Sequence, residues 1–275
     1  MRPSVAALAV LAVVLAGCVG AGPLPHDGQA LAAADDTGLP AGVPTRVRHF
    51  PCVEQFAYLP IPMQVARDAV PDGFAPLSFE PTGQLAMTVA VGFTCEHTEG
   101  DQGFALGELR TLGLVLAVTP PEAYLAEGIQ YYVVPLGGLT SSPEMGTVYS
   151  AWDFGPVHLA PLDFEVADTV GLARHGRVAG DVAGFGMELT TASVGPVHPG
   201  AANAFRVFGL RDGNVTGAVD WSWPAGADAM ENGTAALRLS GDLSGAFAPV
   251  EPGLGYQYWG AYEYQLQHVE LAAVP

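Results

Sequence analysis

The stretch QLAMTVAVGF at residues 84–93 decides how this chain folds. Large apolar side chains occupy every second position, and the positions between them carry small or polar side chains. A repeat of two residues is typical of a β-strand, in which successive side chains point to opposite faces of a sheet. Cys52 precedes this strand, and Cys95 and His97 follow it. We therefore take residues 52–97 as the segment around which the rest of the chain is organised.

The first 17 residues have the pattern of an export signal. Arg2 supplies a positive charge, residues 5–15 form a short apolar core, and the sequence LAGC at residues 15–18 ends in a cysteine. That motif resembles the lipobox of prokaryotic lipoproteins, which implies a signal peptide over residues 1–17 and an acylated Cys18. An ordinary signal peptide and an uncleaved anchor are the alternatives, because residues 5–22 are long enough to span a bilayer. All three interpretations place the domain outside the cytoplasm, and lipidation would anchor it to the outer face of the cell membrane.

The other two cysteines form an even pair. In an oxidising compartment, a disulfide between Cys52 and Cys95 is the expected state. It would close a loop of about 44 residues and stabilise the fold by roughly 3–4 kcal/mol. The alternatives are two buried thiols or a metal site made by Cys95 and His97. Two ligands spaced by one residue are a weak metal signal, so we expect no metal and no cofactor.

The charge balance limits the partners. The chain has 28 acidic side chains, 10 basic ones and a net charge of −18, and it contains no lysine. Nucleic acid and anionic lipid surfaces bind basic patches, so we expect no nucleic acid, and contact with a membrane only through an N-terminal lipid or anchor. An acidic surface without lysine suits high salt or reflects a GC-rich genome, and composition does not separate the two. The sequence gives no signal for an oligomeric state.

The mature chain divides into a tether and one domain. Residues 18–45 carry the lipidated cysteine and a flexible tether rich in Gly, Ala and Pro. Residues 46–275 have the length of a single β-rich domain. Two short helices are predicted, at residues 62–70 and at residues 143–151. Besides 84–93, strands are predicted near residues 53–60, 74–79, 109–118, 129–134, 157–166, 185–194, 205–211, 215–223, 235–240 and 256–271.

This balance predicts a mainly β fold, α+β at most. We expect an antiparallel β-barrel or a cone-like pair of packed sheets, with a few short helices. Two sequons, at Asn214 and Asn232, are candidate glycosylation sites in an exported protein.

Several segments of the first half resemble the acetoacetate decarboxylase-like family. They are the Pro-rich PIP at residues 60–62, the short helical segment and PDGF turn at residues 66–74, and GELR at residues 107–110 before an apolar strand. Members of that family run from a Pro-rich strand through a short helix to a similar turn, and then to a Gly-x-x-x-Glu segment. The resemblance covers roughly residues 50–155. It implies a cone-shaped antiparallel barrel that encloses a small-molecule cavity.

The chain departs from this family at the catalytic group. The resemblance implies a lysine that forms a Schiff base with the substrate, but this chain has no lysine, and arginine stays protonated. The nearest counterpart of the family's aromatic-Pro-Lys segment is WDFGP at residues 152–156, with Asp153 near the expected place of the nucleophile. Imine-dependent decarboxylation is therefore excluded, and we do not assign an enzyme activity or a catalytic residue.

Glu108 and Arg110 are candidate ligand-binding residues. Both share a strand face with Leu112, Leu114 and Leu116. In the mouth of a barrel, Arg110 would bind the carboxylate of a small ligand while Glu108 orients the guanidinium. This hypothesis predicts a cavity on the order of a few hundred Å³ with Arg110 pointing into it. The alternative is that the two residues pair with each other at the exposed end of the strand.

Trp152, Asp153 and His158 are further candidates. A carboxylate can orient an imidazole for proton transfer, although no Gly-x-Ser-x-Gly nucleophile motif occurs in the chain. A purely structural role is the alternative for each residue.

Three functions remain open at the level of sequence. The preferred one is a lipid-anchored, extracytoplasmic protein that binds a small carboxylate or another small molecule in an acetoacetate decarboxylase-like barrel without Schiff-base chemistry. A structural or interaction β-sandwich module at the cell surface is the alternative. An enzyme that uses Asp, His or Glu as acid and base is the third.

Overall fold

The computed structural model describes residues 39–40, 42–169, 173–182, 184–200, 202–223, 228–259 and 263–271. The predicted signal peptide, Cys18 and most of the predicted tether lie outside the described residues. Within them, no helix is both long enough and apolar enough to cross a membrane.

Strands dominate the fold. In chain order they are β1 (Arg46–Pro62), β2 (Ala75–Pro76), β3 (Leu85–Gly100), β4 (Ala105–Leu106), β5 (Leu109–Thr119), β6 (Tyr131–Thr140), β7 (Val157–Leu159), β8 (Leu162–Thr169), β9 (Ala173–Val182), β10 (Phe185–Val194), β11 (His198–Pro199), β12 (Asn203–Arg211), β13 (Asn214–Trp223), β14 (Asp228–Ser240), β15 (Gly253–Trp259) and β16 (Tyr264–Val269).

Within the described residues, two short α-helices accompany the strands. They are α1 (Met63–Ala69) and α2 (Pro143–Ala151), and both confirm the sequence prediction. Helix α2 begins after Ser142 because the Ser142 hydroxyl accepts a hydrogen bond of 3.1 Å from the backbone N–H of Met145. Single 3₁₀ turns occupy Asp101–Gly103, Glu122–Tyr124 and Gly241–Leu243.

Seven strands close into a barrel. Strand β1 pairs with β3, and the order continues through β5, β6, β12, β13 and β16 back to β1. Every pairing around this circle is antiparallel except that of β6 with β12. The predicted mainly β, barrel-like fold is therefore confirmed.

A second sheet extends from the barrel through β1. The edge of β1 opposite β3 pairs with β16 at residues 46–49 and with β15 at residues 54–58. From β15 the sheet continues through β14, β10 and β9 to β8. It packs on the outer face of the barrel so closely that a Cβ at Gly92 would lie 2.4 Å from Cγ1 of Val178.

The two layers create two apolar cores. One fills the barrel and includes Val89, Phe93, Val207 and Tyr264, all at most 3% exposed. The other lies between the barrel and the second sheet. Its most buried members include Ala90, Leu112, Leu114, Leu116, Val178 and Leu189. The alternation at residues 84–93 thus distinguishes a face inside the barrel from an outer face. The second sheet covers that outer face.

The predicted disulfide links β1 to β3. Cys52 and Cys95 are bonded, lie directly opposite each other in the strand pair, and have Cα atoms 4.1 Å apart. The disulfide thus closes the segment that contains the decisive strand. His97 is exposed on β3 and its ring lies 5.8 Å from that of Phe50.

The strand predictions for residues 157–166 and 256–271 were wrong in extent, and β4, β9 and β11 were not predicted. Residues 256–271 do not form a single strand, because β15 pairs with β14 whereas β16 pairs with β13. Strand β9 was not predicted because two glycines interrupt its hydrophobic pattern. Both are needed: a Cβ at Gly176 would lie 2.5 Å from the Gln55 side chain, and one at Gly180 would lie 2.6 Å from the Leu162 side chain.

Candidate functional site

The barrel interior contains two adjoining cavities, of about 20 and 60 Å³. Val91, Val115, Val207 and Trp221 line both. A water molecule needs roughly 10–15 Å³ of such space, so the smaller cavity accommodates about one water and the larger about four. The interior is therefore closely packed, and these cavities are smaller than the few hundred Å³ that the binding hypothesis predicted.

The smaller cavity is lined by a buried acid. Glu54 lies on β1, between Cys52 and Phe56 on the inward face, and is only 1% exposed. It is directly opposite Phe93 of β3 and Tyr258 of β15. Burying a carboxyl group inside a barrel is costly in free energy unless it is paired or hydrogen-bonded, so Glu54 is an unusual residue for this interior.

Aromatic rings surround this acid in close succession. The ring centroids of Phe56 and Phe205 are 6.0 Å apart, and those of Phe205 and Trp223 are 5.1 Å apart. On the other side, Trp221 lies 5.7 Å from Phe93. The wall of the smaller cavity thus combines four aromatic side chains with five valines.

The Nε1 atom of Trp221, in the wall of both cavities, is buried and has no hydrogen-bond partner among the described residues. An indole N–H is a donor only, and a buried donor without an acceptor is unfavourable. The wall of both cavities therefore offers a donor to an acceptor that enters the barrel.

Burial favours the neutral form of two titratable groups near this interior, His49 and Tyr58. The pKa of His49, which is fully buried, is lowered to about 3 because burial disfavours the imidazolium. Burial also raises the pKa of Tyr58 well above its ordinary value, and the nearby Tyr131 adds to this effect. Neither group supplies a positive charge to the barrel at neutral pH.

Glu108 and Arg110 lie outside the barrel cavities. The Arg110 guanidinium donates from Nε to Oε1 of Glu108 at 2.6 Å and from Nη1 to the carbonyl oxygen of Leu162 at 2.8 Å. Arg110 is on the outer face of β5, the face that Leu112 and Leu114 present to the second sheet, and its side chain is 35% exposed. The two residues pair with each other at the start of the strand, which is the alternative arrangement considered from the sequence.

Trp152 and Asp153 lie together at the end of α2. The Asp153 carboxylate accepts hydrogen bonds from Arg211 at 2.8 Å and from the Thr216 hydroxyl at 2.7 Å. Trp152 is buried, and its ring stacks on His268 with centroids 6.3 Å apart. These residues line a cleft of about 300 Å³ at the surface. Burial lowers the pKa of His268 there.

The remaining predicted residues are dispersed. His158 lies on β7 and packs on Phe185, with ring centroids 4.5 Å apart, so its contacts are not shared with Asp153. Asn214 is exposed at the start of β13, and Asn232 lies on β14. No group of three metal-ligating side chains occurs in the part of the chain that the structure describes.

Glu54 was not singled out from the sequence as a candidate residue. The signal was present, because Cys52, Glu54, Phe56 and Tyr58 alternate on one face of β1. An acid in an otherwise apolar alternation marks either an exposed position or a buried charge. Only the closure of the barrel decides between them.

Comparisons with known proteins support one fold. No protein-family model matches the chain, and no curated protein matches it. Among solved structures, the acetoacetate decarboxylase from Legionella pneumophila aligns with a TM-score of 0.53 at 12% identity, covering 92% of this chain and 98% of that one. The chain has the acetoacetate decarboxylase-like fold.

Two further structures agree with this assignment. An acetoacetate decarboxylase-like enzyme from Sphingomonas wittichii aligns with a TM-score of 0.51 at 14% identity, covering 91% of this chain and 100% of the enzyme. The enduracididine biosynthesis enzyme MppR aligns with a TM-score of 0.50 at 15% identity, covering 90% of this chain and 95% of MppR. At these identities the likeness shows the acetoacetate decarboxylase-like fold alone, which confirms the shape that the resemblance implied.

Proposed function

We propose that this is a lipid-anchored, extracytoplasmic protein that binds a small molecule inside its acetoacetate decarboxylase-like barrel without Schiff-base chemistry. The observation that carries the proposal is the carboxyl group of Glu54, 1% exposed, at a cavity inside the barrel that aromatic and valine side chains line. A buried carboxyl group is retained only with specific partners around it, and buried titratable groups beside cavities concentrate at functional sites.

The chemistry of the chain and one structural neighbour support this function. The absence of lysine removes the imine route, so the barrel supplies a shaped interior and not a Schiff-base nucleophile. The solved MppR structure is a complex with the condensation product of pyruvate and imidazole 4-carboxaldehyde. A barrel of this fold can therefore hold a small organic molecule.

Binding inside the barrel is testable by filling it. Val91 lines both cavities, so Val91→Phe should occupy the space that a ligand needs. A thermal-shift screen of small polar metabolites should find compounds that raise the melting temperature of the wild type but not of Val91→Phe. The matched control is Val197→Phe, because Val197 is 51% exposed. Equal shifts in all three proteins, or no shift in the wild type, would contradict binding in the barrel.

The anchor is tested separately. If Cys18 is acylated, the full-length chain should partition into the detergent phase and be accessible to protease added outside intact cells. Cys18→Ser should then leave the membrane fraction or accumulate with its signal uncleaved. A Cys18→Ser protein that is processed and partitions as the wild type does would contradict lipidation.

A further inference from the structure

A surface cleft outside the barrel has the size of a small-molecule site. Its volume is about 300 Å³, whereas the two cavities inside the barrel are much smaller. Clefts that bind small organic molecules have volumes of roughly 300–1,000 Å³. The cleft lies between the end of α2, the turn from β12 to β13 and the end of β16. Its wall contains charged groups of both signs, among them Arg211 and Glu270, together with the half-buried Leu39 and Leu271.

The backbone is strained where α2 ends at this cleft. Asp153 has a φ of 55°, in the left-handed region that a residue with a side chain seldom adopts. Its carbonyl oxygen accepts a hydrogen bond of 2.9 Å from the backbone N–H of Leu210. A Cβ at Gly209 would lie 2.5 Å from the carbonyl oxygen of Trp152, so a larger residue there would separate α2 from β12. Backbone strain of this kind concentrates at binding and active sites, where the surrounding interactions maintain it.

The strained aspartate fixes the position of an arginine. Oδ1 of Asp153 accepts hydrogen bonds from Nε and Nη2 of Arg211 at 3.1 and 2.8 Å, and Oδ2 accepts one from the Thr216 hydroxyl at 2.7 Å. The side chain of Asp153 is 14% exposed and that of Arg211 is 65% exposed. Nη1 of Arg211 donates no hydrogen bond to a described residue. A guanidinium that is held along one edge presents its other edge to a carboxylate of a ligand.

An acid lines the same cleft without a cation beside it. Glu270 is exposed, and none of the ion pairs among the described residues includes it. Burial lowers the pKa of the neighbouring His268, although the Glu270 carboxylate acts in the opposite direction. The imidazole, which stacks on Trp152, is therefore uncharged at neutral pH and does not neutralise Glu270.

These groups disfavour a ligand that carries a single charge. A simple carboxylate would meet Arg211, whose charge Asp153 already offsets, and would be repelled by Glu270. A simple ammonium ion would pair with Glu270 but leave the donors of Arg211 without an acceptor. Arg211 and Glu270 do not pair with each other, so a molecule that carries both groups can lie between them.

We propose that this cleft is a second binding site, for an α-amino acid with an aliphatic side chain. The carboxylate of the amino acid pairs with Arg211 and its ammonium group pairs with Glu270. Its side chain contacts Leu39 and Leu271. The cleft and the barrel cavities share no lining residue among those described, so this inference goes beyond the proposed function and does not depend on it.

Three probes that differ only in their charged groups test the proposal. Leucine carries both groups, 4-methylpentanoate carries only the carboxylate, and 3-methylbutylamine carries only the ammonium group. Calorimetric titrations at neutral pH and constant ionic strength should show leucine binding at least about tenfold more tightly than either of the other two. Equal or tighter binding of a probe with a single charge, or no binding of leucine, would overturn the inference.

Substitutions locate the binding in the cleft. Arg211→Gln and Glu270→Gln should each weaken leucine binding at least about tenfold, because each removes one of the two charges that the ligand needs. The matched controls are Arg238→Gln and Glu96→Gln, at exposed positions of β14 and β3, and both should leave binding unchanged. If leucine binding survives in either cleft variant, or falls as much in a control, leucine binds elsewhere and the inference is wrong.

The two proposals fail separately. Val91→Phe fills the barrel and should leave leucine binding unchanged. Leucine binding that Val91→Phe abolishes would overturn the cleft site and support binding in the barrel. Leucine binding that needs Arg211 and Glu270, without any ligand that depends on Val91, would support the cleft and overturn the barrel function. If Arg211→Gln does not fold, the probe series and the exposed Glu270→Gln still decide.

Discussion

His49 is a fully buried imidazole inside the barrel, on the same strand as Glu54. Its Nδ1 atom lies 2.7 Å from the Thr98 hydroxyl, and its ring is 5.7 Å from that of Phe93 and 6.5 Å from that of Tyr264. Nε2 has no hydrogen-bond partner among the described residues. These surroundings favour the neutral ring, which explains a pKa lowered from 6.5 to about 3.

Stability should therefore fall in mild acid. Between pH 6.5 and pH 3 the unfolded chain binds a proton at His49 that the folded chain does not, so the free energy of unfolding decreases as the pH falls through this window. The expected loss from this residue is about 2 kcal/mol between pH 6.5 and pH 5. Urea unfolding at the two pH values measures it.

A pair of variants isolates the contribution of His49. His49→Gln should reduce the pH dependence by most of that amount, whatever its effect on stability at pH 7. His268→Gln should change the dependence less, because His268 is only partly buried although burial also lowers its pKa. The same pH dependence in His49→Gln as in the wild type would contradict this account.

At the scale of elements, the alternation of side chains shows which residues share a face of a strand. It does not show which part of the structure that face contacts. The pattern in β5 correctly places Arg110 on one face with Leu112 and Leu114, all on the side that meets the second sheet. It does not say which face of the strand lies inside the barrel, because both faces are covered by apolar residues. The prediction of a binding arginine therefore depended on closure of the sheet, which is a property of distant pairings such as that of β1 with β3.

Strand β9 shows a second limit of prediction from sequence, because a strand can lack the alternation of apolar side chains. Its residues lack an apolar alternation because glycine is required where β9 lies against the side chains of Gln55 on β1 and Leu162 on the neighbouring strand β8. A strand whose glycines are required by neighbouring side chains has no hydrophobic repeat from which it could be predicted. In contrast, α2 was predicted with its bounds because a local serine cap and a proline at the first helical position determine where it begins.

The disulfide between β1 and β3 should stabilise the barrel appreciably. Cys52 and Cys95 are 43 positions apart in sequence, and a crosslink over such a separation restricts the unfolded chain. The double variant Cys52→Ala/Cys95→Ala should unfold about 3–4 kcal/mol more easily in urea than the oxidised wild type. Reduction of the wild type under unfolding conditions should give a similar loss. If neither change lowers the unfolding midpoint, the bridge does not contribute to stability.

At the scale of the whole molecule, the acidic charge opposes folding. The compact chain brings 28 acidic side chains together against 10 basic ones. Several acids are paired, as in the contact of Glu188 with Arg177 at 2.7 Å and with Arg238 at 3.3 Å, but arginines are too few to pair with all of them. The net repulsion is long-range and is screened by salt.

Salt should therefore stabilise the protein, and more so at neutral pH than near its isoelectric point. From 0.1 to 1 M NaCl the screening length falls from about 10 Å to about 3 Å, so the melting temperature at pH 7.5 should rise. KCl should act as NaCl does, because screening depends on ionic strength. Near pH 4.4, the isoelectric point expected from the sequence, the net charge is close to zero and the same addition should produce a smaller rise. Differential scanning calorimetry at the two pH values decides between screening and a general salting-out effect, since salting-out would raise the melting temperature equally at both.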